Sequence, residues 1–71
     1  MFVMFEKEVG KEKAVIGVNA NQVIKVEPGT PSRGGQTTRI SYSNGQSDVV
    51  LGAVERTLER LNDDADVTSL G

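Results

Sequence analysis

The chain has no cysteine, no histidine and no tryptophan, and its 71 residues include only two phenylalanines and one tyrosine. Without cysteine there can be no disulfide and no thiolate metal site. Without histidine it lacks both the commonest transition-metal ligand and the side chain that titrates near neutral pH. No serine can be activated by a histidine base. Long apolar runs are missing too, since the N-terminal one ends at Phe5 and meets the charges of Glu6, Lys7 and Glu8. That run is too short for a membrane span. It also has no basic leader and no small-residue cleavage site of the kind that marks a signal peptide. The expectation is therefore a protein with no membrane insertion. A cytoplasmic location is compatible with the missing cysteines.

Charge of either sign is scarce in excess: ten acidic residues face eight basic ones, for a net charge of -2, and the isoelectric point is about 4.9. Proteins built around phosphate contacts are usually basic, so nucleic acid is the weaker choice of partner. A chain of this size buries about 60% of the surface its unfolded form exposes, and its core alone contributes about 3–5 kcal/mol. Small domains commonly add a disulfide, a metal or a second subunit. With the first excluded and the second short of ligands, self-association is the expected reinforcement. A second protein is a further candidate partner, and no cofactor is expected.

What is present reads as strands followed by one helix. Residues 2–8 form a first strand, with Phe2 and Met4 on one face and Val3 and Phe5 on the other. Apolar groups on both faces suggest burial on two sides or an edge that meets another chain. Gly10 marks a turn. Residues 14–18 form a second strand, Asn19 to Gln22 a polar turn, and residues 23–27 a third strand with Ile24 and Val26 on one face. Residues 28–36 hold both prolines and three glycines but no apolar anchor, which reads as a mobile loop.

The strongest local signals lie in residues 37–62. Thr38, Ile40 and Tyr42 alternate with Thr37, Arg39 and Ser41. Asn44-Gly45 then marks a hairpin of type I′, in which both central residues take positive φ. Residues 46–51 return as a strand. Gly52 caps a helix whose apolar stripe is Val54, Leu58 and Leu61, and Asn62 ends it. A rival pattern starts the helix at Ser47, but it would place Gly52 in the interior at a cost of about 1 kcal/mol. Residues 63–71, with Asp63, Asp64 and Asp66, read as an acidic, disordered tail.

No constellation of catalytic residues stands out. Ser32, Ser41, Ser43 and Ser47 have only lysines such as Lys13 or Lys25 as conceivable bases. Glu27 and Asp48 are the carboxylates beside apolar sequence, where desolvation could suit acid–base work. The aspartates of the tail lack the spacing of a calcium loop. Gly29, Gly34 and Gly35 lack phosphate-loop spacing. Catalytic, cofactor and metal sites are therefore not expected. The candidate interaction residues are Phe2, Val3, Met4 and Phe5 on the first strand, with Arg33 and Arg39 as the basic positions of a weaker nucleic-acid reading.

The segment from Val15 to Leu61 resembles the FlbD/SwrD family of small bacterial flagellar and motility proteins. The matching residues are Val18-Asn19-Ala20-Asn21-Gln22-Val23, Val26-Glu27, Thr38 to Ser43, Asn44-Gly45, and Val49-Val50 leading to Val54-Glu55. The loop at 28–36 is longer than that family's compact turn, Gly52 replaces a charged residue, and the tail is acidic where the family's is basic. The resemblance implies a small non-enzymatic motility protein. The fold expected from the pattern is α+β: one small antiparallel sheet of four or five strands in a meander, with a C-terminal helix packed on it. This would be a single domain over residues 1–62.

Overall fold

A computed structural model describes the backbone of residues 2–70 and the side chains of residues 2–62. Strands β1 (Phe2–Val9) and β2 (Glu12–Asn19) pair antiparallel from Phe2↔Asn19 to Val9↔Glu12. Only Gly10 and Lys11 separate them. Gly10 has φ 63° and Lys11 does not take positive φ, which is the glycine-first requirement of a type II′ turn. A short 3-10 turn at Ala20–Gln22, capped by the Asn19 side chain accepting from the Asn21 N–H, leads to β3 (Val23–Pro28). Then come β4 (Thr37–Tyr42), β5 (Ser47–Leu51) and helix α1 (Val54–Leu70). The fold is α+β with five antiparallel strands and one C-terminal helix.

The strands form two sheets rather than one, β1-β2 and β3-β4-β5. β1 lies beside β5, and the Lys7 ammonium bridges to Asp48 Oδ1 at 3.3 Å between them. The core lies between these layers and the helix. Its buried apolar members among the described residues are Val3, Phe5, Val18, Ile40, Val50 and Leu61.

Several local expectations need correction. Ile24 does not face the core. The β3–β4 register shifts between Val23 and Lys25, and this bulge leaves Ile24 69% exposed. The β4–β5 turn is not type I′, because Gly45 (φ 87°) takes positive φ and Asn44 does not. The Gly45 N–H donates to the Tyr42 carbonyl and the Tyr42 N–H to the Gln46 carbonyl, giving a three-residue loop with glycine in the left-handed position. The loop at 28–36 has anchors. The Gly29 N–H donates to the Thr37 carbonyl, Thr37 Oγ1 donates to the Thr30 carbonyl, and Ser32 and Gly35 bond each other's backbone.

The helix also differs. The Ala53 carbonyl accepts its first bond, from the Thr57 N–H, so Gly52 lies one residue before the cap. Residues 47–51 are strand, which excludes the longer rival helix. The helix runs past Asn62 to Leu70, while the side chains of the three tail aspartates lie outside the described residues. Among the described side chains its buried positions are Thr57 and Leu61, and Leu58 is 40% exposed. Thr57 takes the inner place because its hydroxyl bonds locally to the Ala53 carbonyl and meets Thr38 Oγ1, which itself donates to the Gly52 carbonyl.

Candidate functional site

The pleat of β1 divides the four candidate residues of the first strand. Val3 and Phe5 are core residues, 6% and 2% exposed, so they are not free to meet a partner. Phe2 and Met4 point the other way and are 66% and 53% exposed. The register puts Asn19, Gly17, Val15 and Lys13 of β2 on the same outer face, opposite Phe2, Met4, Glu6 and Glu8 in turn. Gly17 has no side chain to compete for space. A Cβ there would sit 3.5 Å from the Phe2 ring and 3.6 Å from the Met4 sulfur. Phe2 and Met4 therefore lie over the glycine and, with exposed Val15, make a continuous apolar patch. Glu6, Glu8 and Lys13 form the charged end of this face.

Beside the patch is a groove of about 400 Å³. Met4, Val15, Glu6 and Lys13 line it from the first hairpin, Gly34 and Leu51 from the three-stranded side, and Arg56, Thr57 and Arg60 from the helix. Arg56 and Arg60 share one helix face because they are four residues apart. The Arg60 guanidinium lies 4.5 Å from the centroid of the Phe5 ring and donates to the Met4 carbonyl. Neither arginine is among the residues singled out in the sequence. The i, i+4 spacing was the available signal; the approach of Lys13 from the distant hairpin had none.

Arg33 and Arg39 do not converge. Arg33 is exposed within the turn closed by Ser32 and Gly35. Arg39 is exposed on β4 between Glu27 and Val49 in the register, and the shallow concavity it lines with Glu27 does not include Arg33.

The two carboxylates considered for acid–base work have cationic neighbours. Glu27 pairs with Lys25 at 3.5 Å. Asp48 accepts from Lys7 Nζ and, at 2.8 Å, from the Tyr42 hydroxyl. Burial, the Asp48 hydrogen bond and the Asp48 charge together hold the Tyr42 phenol well above its ordinary range. It is a neutral donor that ties β4 to β5, not a base. Among the described residues, no three His, Cys, Asp or Glu side chains gather as a metal ion would require, and no helix is long and apolar enough to cross a membrane. Comparison of the chain with family models, curated proteins and solved structures finds no match.

Proposed function

We propose that the chain is a non-enzymatic interaction module that associates with a second copy of itself, of the FlbD-like motility type. The observation that carries the reading is the outer face of the first hairpin, where Phe2, Met4 and Val15 expose apolar surface around a bare glycine. Contiguous apolar surface on a small domain is a mark of an interface. A second copy suits this face because its charges are self-complementary. Glu8 on β1 stands opposite Lys13 on β2. A copy turned about a two-fold axis parallel to the strands lays its β1 over the first copy's β2 and sets each Glu8 against the other's Lys13. Burying the patch also supplies the reinforcement that a domain of this size otherwise lacks.

Static light scattering over a range of concentrations tests the association. The expected result is a mass that rises above the monomer in the wild type and stays at the monomer for Phe2→Ser. A wild type that remains monomeric throughout rejects it. The motility role rests on the resemblance alone, and flagellar genes flanking this gene would support it where unrelated neighbours would count against it.

A further inference from the structure

In this acidic chain, three cations converge on one concavity with no carboxylate paired to them among the described residues. The groove of about 400 Å³ is within the range of small-molecule sites. Lys13 reaches it from β2, and Arg56 and Arg60 from the first half of α1. The ion pairs among the described residues are Lys7–Asp48 and Lys25–Glu27, which leave these three aside. Glu8 faces Lys13 across the hairpin without forming an ion pair, Glu6 is the one acidic residue of the lining among the described residues, and a Glu8 carboxylate oxygen lies 3.7 Å from the Cβ position of Gly34. Like charges held together in this way repel one another, and an anion between them removes that repulsion.

The groove is also partly preorganised. Arg60 is fixed by the Phe5 ring beneath it and by its bond to the Met4 carbonyl. That bond uses one of five guanidinium N–H donors, so the others are presented by a side chain that has already lost much of its freedom. Gly34 and Gly52 line the opposite wall. Their N–H groups are taken by Ser32 Oγ and the Gln36 carbonyl. Gly52 leaves open space, whereas Leu51 fills the space at Gly34, and the cations provide the donors. The geometry points to a binding site for a small oxyanion, a phosphate or carboxylate group held by Arg56, Arg60 and Lys13.

This site does not rest on self-association: the groove shares Met4, Glu6, Lys13 and Val15 with the outer face, and the proposed dimer sets Lys13 against Glu8 of the second copy, so binding should be tighter in the monomeric Phe2→Ser than in the associated wild type. The test is a heteronuclear NMR titration at constant ionic strength, using inorganic phosphate and, separately, succinate. It is run on the wild type and on Phe2→Ser, whose altered residue is outside the groove. The expected result is saturable shifts at the backbone amides of Lys13, Gly34, Gly52 and Arg56 in both proteins, with Arg56→Gln weakening binding by about tenfold. Arg56 and Lys13 are exposed, so Arg56→Gln and Lys13→Gln can be read without loss of the fold. Saturation by phosphate alone assigns a phosphate ligand, and by succinate alone a carboxylate. Shifts that do not saturate, that spread over the whole surface, or that persist unchanged in Arg56→Gln overturn the proposal.

Discussion

The Arg60 guanidinium lies 4.5 Å from the centroid of the Phe5 ring and donates to the carbonyl of Met4, so one exposed side chain fastens the helix to the first strand. Replacing Arg60 with alanine removes a cation–π contact worth about 0.5–1 kcal/mol at an exposed site and a hydrogen bond worth about 1 kcal/mol. Urea denaturation of Arg60→Ala should show a loss of about 1–2 kcal/mol, with Arg60→Lys intermediate. Equal stability of all three would mean that the contact contributes nothing.

Phe2 and Phe5 are the same residue type on the same strand, with opposite burial. Phe5→Ala empties a core position, which costs about 3–5 kcal/mol. That is as much as the core of so small a domain contributes, so the variant should be largely unfolded by circular dichroism. Phe2→Ala should change the stability of the dilute protein by no more than about 0.5 kcal/mol, as for an ordinary surface position.

Gly52 separates steric space from backbone conformation. A Cβ there meets nothing within 4 Å, but its φ is 116°. Gly52→Ala should therefore cost about 1–3 kcal/mol through backbone strain alone, seen as a lowered denaturation midpoint. No change would place the cost elsewhere.

Thr38 is fully buried and donates to the Gly52 carbonyl at 2.8 Å while meeting the Thr57 hydroxyl. Thr38→Val keeps the shape and leaves the Gly52 carbonyl without that hydrogen bond, a cost of about 1–3 kcal/mol seen as a lowered denaturation midpoint. The Thr57 hydroxyl keeps its bond to the Ala53 carbonyl in that variant, so adding Thr57→Val should not recover the loss; full recovery in the double variant would mean that the Gly52 carbonyl is not the group left unpaired.

Tyr42 is the only tyrosine in the chain, so ultraviolet titration reads it alone. Its pKa is raised by burial first and by Asp48 second. The folded state keeps the phenolic proton at a pH where the unfolded chain releases it. This contribution to stability is complete below about pH 10, the unfolded value, and declines as pH rises toward the folded value. Wild type should lose stability more steeply than Tyr42→Phe above about pH 10. An ordinary midpoint for the folded-state titration would contradict the burial and hydrogen bond described here.

The sequence shows most of this fold where periodicity decides the outcome. Thr38, Ile40 and Tyr42 alternate as β4 requires, and the split between Phe2 with Met4 and Val3 with Phe5 is visible before any coordinates. What it hides depends on tertiary context. The bulge that turns Ile24 outward appears only in the pairing with β4. Thr57 displaces Leu58 from the buried stripe because a threonine hydroxyl can be satisfied by Ala53 and Thr38, which apolar spacing does not register. The break between β1 and β5 divides the sheet without any marker in either strand. The cationic groove joins Lys13 to Arg56 and Arg60 across most of the chain, beyond the reach of local pattern.

Sedimentation equilibrium of the wild type beside the double variant Phe2→Ser, Met4→Ser decides whether the outer face of the first hairpin joins two copies. Both changed side chains are exposed, so the variant should keep the fold. The wild-type mass should approach twice the monomer's 7.6 kDa as concentration rises, while the variant stays at the monomer mass. A wild type that remains monomeric, or a variant that associates as strongly as the wild type, would contradict association through this face.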